Sequence, residues 1–155
     1  MTRNCPRCSS AMAATTLGKL SAEARPLVLR LSGMPAAKCT KGHAMPVNRD
    51  FMLWLIQQIK ARAAALPGGE AKGLLIKKYV CACGKELGGK PDGQRAFPFE
   101  LAFEGTPAFH AEMELPVYKC PGCGKEQLRS AKEPQQQVAQ AIVSINDAAG
   151  FPHSG

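Results

Sequence analysis

Acidic residues and aromatics are scarce in this sequence. Twelve Asp and Glu stand against twenty Lys and Arg in 155 residues, a formal net charge of +8, and only 6% of the chain is aromatic, with one Trp and two Tyr. So few aromatics argue against nucleic-acid recognition by base stacking. No stretch approaches the ~18 consecutive apolar residues of a membrane span, so no membrane partner is expected. No apolar h-region follows Arg3 and Arg7, so no secretory leader is expected and the chain reads as cytoplasmic. The H-E-x-x-H, phosphate-loop and G-x-S-x-G motifs are all missing, which predicts neither enzyme activity nor a small-molecule substrate.

Cysteine is what the chain does have. Seven is an odd number, unsuited to a fully paired disulfide framework. The cysteines fall as Cys5 and Cys8, Cys39, Cys81 and Cys83, and Cys120 and Cys123, and His43 follows Cys39 closely enough to complete a fourth pair. Eight donors make two tetrahedral sites of the Cys and His type that zinc accepts. Each pair sits in a turn sequence with Gly or Pro (CPRC, CTKGH, CACG, CPGCG), and such turns can aim two side chains at one ion. Sequential pairing puts Cys5, Cys8, Cys39 and His43 on one ion and Cys81, Cys83, Cys120 and Cys123 on the other. It closes the shortest loops and so costs least entropy; interleaved and nested pairings require the halves to wrap around one another. Thioredoxin-like redox use of CPRC or CPGC needs a helix start carrying the thiolate, and neither motif opens a helical pattern.

Residues 1–46 hold the first site. Leu27, Leu29 and Leu31 alternate with Val28, Arg30 and Ser32 as in a strand. CPRC, the intervening hairpin and GMPAAKC leading into Cys39 resemble the YgiT-type zinc finger, the toxin-facing module of the MqsA antitoxins. The resemblance implies a zinc-stabilised hairpin that docks on a protein. Where that family has a second CxxC-Gly turn, this chain has Cys39-Thr40-Lys41-Gly42-His43. The helix-turn-helix that follows in those antitoxins has no counterpart here.

Residues 47–72 read as a helix and linker. The helix covers 47–66, capped by Asn48 or Asp50, with Phe51, Leu55 and Ile59 on one face, Met52, Trp54 and Ile56 widening it, and Pro67-Gly68-Gly69 as the stop. So wide an apolar stripe is expected to pack on a ribbon or to meet a partner. Residues 73–130 read as a second zinc ribbon. A strand over Leu74–Val80 runs into Cys81, and two alternating runs, Phe97–Phe103 and Phe109–Val117, form an enlarged hairpin. Residues 131–155 read as a helix over 133–149, with Pro134 at its first position and Val138, Ile142 and Ile145 on one face, then a frayed tail from Phe151. The expected fold is therefore a small metal-stabilised α+β protein: two zinc-ribbon-like hairpin modules, a bridging helix and a C-terminal helix.

His110 and Glu112 before Cys120 and Cys123 echo the H-x-E…P-C-x-x-C signature of zinc deaminases. Proline follows Cys120 where that signature has it before the cysteine, and the His and Glu sit on the polar face of a strand pattern. The charge is uneven: residues 1–80 carry 13 Lys and Arg against 3 Asp and Glu, net +10, and residues 81–155 carry 7 against 9, net −2. Arg3, Arg7, Lys38 and Lys41 flank the first metal turns, and Lys72, Lys77 and Lys78 follow the helix. These cations are the expected contact surface for a protein partner or a nucleic-acid backbone. A half of this size seldom draws more than ~3–5 kcal/mol from its core, whereas structural zinc contributes ~10–16 kcal/mol to folding. Chelation of the two zinc ions is therefore expected to unfold or loosen the protein.

Overall fold

Residues 3–152, described in the computed structural model, divide into ten strands and two helices where alternation, glycines and prolines change the local geometry. The first part holds β1 (Met12–Thr16), β2 (Lys19–Ala24), β3 (Leu27–Ser32), β4 (Pro35–Cys39), β5 (Ala44–Pro46) and α1 (Phe51–Ala64). The second holds β6 (Glu70–Lys72), β7 (Lys78–Val80), β8 (Gly93–Leu101), β9 (Phe109–Lys119), β10 (Glu126–Gln127) and α2 (Lys132–Ala149). The chain is a small α+β protein with antiparallel sheets.

The halves meet in one sheet. β3 pairs on one side with β2 and on the other with β9, in register from Val28↔Glu114 to Ser32↔His110. On its far side β9 pairs with β8, from Gly93↔Val117 to Leu101↔Phe109, and its C-terminal end takes β10. The two hairpins expected as separate ribbon modules are thus joined edge to edge. The physical reason lies in their apolar faces: Leu27, Leu29 and Leu31 on β3, and Phe109, Ala111, Met113 and Leu115 on β9, need more cover than either half possesses.

The helices provide that cover. α1 buries Phe51, Leu55, Ile59 and Ala63, while α2 buries Val138, Ala141, Ile142 and Ile145. α2 packs on β2 and β3 and against α1, and the inward faces of both helices and the sheet form one core. Phe103, just past β8, sets its ring edge-on to Phe51 and Trp54 at 5.3 and 5.0 Å between centroids, a favourable aromatic geometry.

Several boundaries differ from expectation, among them β8, which spans Gly93–Leu101 and not Phe97–Phe103. The bridging helix starts at Phe51 because Asn48 Oδ1 accepts the amides of Asp50 and Phe51, both at 2.9 Å, and Asp50 makes no side-chain cap. Pro134 lies in the third helical position of α2, where an amide would still lack an intrahelical acceptor. The strand expected over Leu74–Val80 is confined to Lys78–Val80, and Leu74, Leu75 and Ile76 are exposed in the connection from β6. Phe151, expected in a frayed tail, is buried in the main core, its amide donating to Asn146 O at 3.0 Å. Residues 153–155, with His153, lie outside the described residues.

Candidate metal centres

Four tight turns carry the eight donors, and they share one construction. The carbonyl of the first ligand accepts an amide three or four residues on: Ser9 N to Cys5 O at 2.7 Å, Gly42 N to Cys39 O at 3.0 Å, Gly84 N to Cys81 O at 2.8 Å and Gly124 N to Cys120 O at 2.9 Å. Each of those donating residues has positive φ: 62° at Ser9, 88° at Gly42, 95° at Gly84 and 77° at Gly124. Glycine enters this conformation freely, and serine stands in for it only in the first turn.

The turns come together in sequence order. Cys5, Cys8, Cys39 and His43 form one group and Cys81, Cys83, Cys120 and Cys123 the other, with the ligand atoms of each group all within 4.8 Å of one another. In the first, β1 pairs with β4 and β4 with β5, so the hairpin brings the Cys5 turn beside the Cys39 turn. Cys5 Sγ lies 3.4 Å from His43 Nδ1, and Cys8 Sγ lies 3.7 Å from Cys39 Sγ. In the second, Cys81 Sγ and Cys123 Sγ are 3.7 Å apart, and Cys83 Sγ and Cys120 Sγ 3.4 Å. Two sulfurs each about 2.3 Å from a tetrahedral ion would be separated by about 3.8 Å. Both groups therefore fit one metal ion each.

Local hydrogen bonds favour thiolates. A hydrogen bond from Ser10 lowers the Cys8 thiol to about 6. The Cys83 backbone amide, with Gln127 behind it, lowers Cys81 to about 6, and the Cys123 backbone amide pulls Cys120 downward. Cys83 goes the other way: the Lys85 backbone hydrogen bond lowers it, but the Cys120 sulfur, desolvation and the sulfurs of Cys81 and Cys123 together outweigh that and raise it to about 11. Three crowded sulfurs resist a fourth negative charge unless a cation is shared among them.

Two supporting residues escaped the sequence. Gln127 is buried and donates from Nε2 to Cys81 Sγ at 3.1 Å, and Ser10 hydrogen-bonds Cys8. No periodicity marks either; their closeness to a ligand pair is the one signal that could have found them. Among the cations, Arg3 is tied through Nη1 to the carbonyls of Pro46 and Val47 at 3.0 and 3.3 Å, so it braces the first hairpin. Arg7, Lys38 and Lys41 are exposed around the first group, while Lys72, Lys77 and Lys78 are exposed on the β6–β7 hairpin. His110 and Glu112 lie on the solvent face of β9, where His110 meets Glu100 at 3.3 Å and Glu112 meets Arg30 at 3.0 Å.

Among the described residues no helix is long and apolar enough to cross a membrane. No protein-family model matches the chain, and neither a curated protein nor a solved structure matches it.

Proposed function

We propose that this protein is a non-enzymatic adaptor carrying two structural zinc ions, which docks on a protein partner through its basic N-terminal half. The observation that carries this reading is the donor count: each group supplies four protein ligands, the closed set of structural zinc and not the three-plus-water set of catalytic zinc. Cys5, Cys8, Cys39 and His43 would hold one ion and Cys81, Cys83, Cys120 and Cys123 the other. The ions would cross-link turns that have little core of their own. Arg7, Lys38 and Lys41, exposed around the first group, offer an acidic partner a contact surface, in keeping with the resemblance to YgiT-type fingers.

A second reading, attachment to a nucleic-acid backbone, rests on the +10 of residues 1–80, since phosphates attract the same cations. One experiment separates them. The pure protein should contain two zinc per chain and recover an acidic protein from its host at fixed stoichiometry. An Arg7→Glu, Lys41→Glu variant should lose that protein while keeping its zinc. Binding to unrelated DNA and RNA that falls steeply with salt would favour the second reading; absence of bound metal would overturn both.

A further inference from the structure

The β6–β7 hairpin ends in an apolar tip with a cationic base. Its last pair is Lys72↔Lys78, and the turn between carries Leu74, Leu75 and Ile76 at 101, 100 and 76% exposure. Among the described residues these are the most exposed large apolar side chains. The turn is closed tightly: Gly73 has φ +111°, and a Cβ there would lie 2.2 Å from the Ile76 carbonyl oxygen. The stalk is fixed to the second metal turns, with Val80 bridged to Glu86, Gly69 N donating to Leu128 O at 3.0 Å, and Arg129 over the Tyr79 ring at 4.7 Å. Three bulky aliphatics are thus held outward on a braced support.

We infer that this hairpin is a docking finger for an anionic lipid surface, with Leu74, Leu75 and Ile76 entering the headgroup and acyl boundary while Lys72, Lys77 and Lys78 meet the lipid phosphates. Successive side chains around a short turn diverge, so a shaped protein pocket could receive one or two of them, whereas a fluid interface receives all three. A nucleic acid would engage the lysines and leave the aliphatics in water. The layering matches a bilayer, apolar in depth and negatively charged at the surface. The positive sign belongs to the finger itself: its one carboxylate, Glu70, sits opposite Val80 at the far end from the tip, and in the next segment Lys85 and Lys90 are offset by Glu86 and Asp92. Because Gly73 sets the turn in advance, little ordering is lost on docking. Long hydropathy windows cannot register such a feature, since three apolar residues are averaged with flanking lysines. The inference goes beyond the proposed adaptor role, and neither depends on the other.

The test is co-sedimentation of the full, metal-loaded chain with phosphatidylcholine vesicles, with and without phosphatidylglycerol. The protein should sediment with the anionic vesicles alone, and less so as salt rises. Replacing Leu74, Leu75 and Ile76 together by Ser should cut partitioning about tenfold or more, with melting and metal content unchanged. Lys72→Glu with Lys77→Glu should weaken it as well. Failure to bind anionic vesicles would overturn the inference and leave the tip to a protein partner. Binding that survives the serine substitutions would overturn it too, by showing plain electrostatic attachment.

Discussion

Gln127 Nε2 reaches Cys81 Sγ at 3.1 Å from a position that is 3% exposed. A buried amide donor aimed at a ligand sulfur both orients that sulfur and stabilises its negative charge. Outer partners of this kind typically change metal affinity ~10–100-fold. Gln127→Ala should therefore weaken the second centre by about that factor and leave the first unchanged. Competition against a chromogenic chelator would resolve the two release steps. An affinity of the second centre unchanged from the parent protein would show that the hydrogen bond does not tune the site.

His43 is the one non-cysteine donor of the first centre. Its Nδ1 lies 3.4 Å from Cys5 Sγ, and its backbone amide donates to Cys39 Sγ at 3.3 Å. The side chain would thus act as ligand, while the backbone amide braces the Cys39 sulfur. His43→Ala removes only the ligand and should lower metal content from two equivalents to one, whereas His43→Cys should retain both, because thiolate suits the same tetrahedral position. Elemental analysis of each purified variant checks this. Two tightly held equivalents in His43→Ala would remove His43 from the ligand set.

What the sequence disclosed follows from where its signals are local. Turn-flanked ligand pairs are local, so the grouping of all eight donors could be read, and shorter closures favoured the order found. Alternation is local too, which located Leu27–Ser32 and the run starting at Phe109. Which strands would neighbour one another is not local: β3 pairs with β9 across 78 to 86 residues, a choice made by apolar faces that need mutual cover. Leu74–Val80 misled for the opposite reason. Its composition favours a strand, but Gly73 begins a turn that leaves Leu74, Leu75 and Ile76 outside the ladder.

The shared sheet also changes what metal removal should do. Weighing each half alone predicts that the protein unfolds or loosens, because neither half has much core. The observed core runs through both halves and both helices, while the metal groups sit in separate small clusters, Cys5, Cys39, Met12 and Ala37 in one and Cys81, Cys120, Leu87 and Tyr118 in the other. Chelation should therefore loosen the turns first and leave the central sheet folded, as expected where local stabilities differ. Hydrogen exchange should accelerate at Cys5–Ser10, Cys39–His43, Cys81–Lys85 and Cys120–Lys125, with the amides of β3, β9 and α2 still protected. Uniform loss of protection across the chain would show instead that the metals hold the whole fold.

Two kinds of contact join β3 to β9, and their magnitudes differ. Arg30 donates to Glu112 at 3.0 Å and to Glu114 at 2.9 Å, but its side chain is 45% exposed. Ion pairs so placed contribute ~0–1 kcal/mol because water and salt screen them. Met113, on the opposite face of β9, is in register with Leu29 on one side and Phe97 on the other, and is buried. Truncating a side chain packed this way costs ~2–5 kcal/mol through lost burial and a residual cavity. Urea denaturation should accordingly find Met113→Ala far more damaging than Arg30→Ala, with the latter's deficit shrinking as salt rises. The reverse order would mean that the two halves are held together by charge across the sheet's outer face and not by their common apolar one.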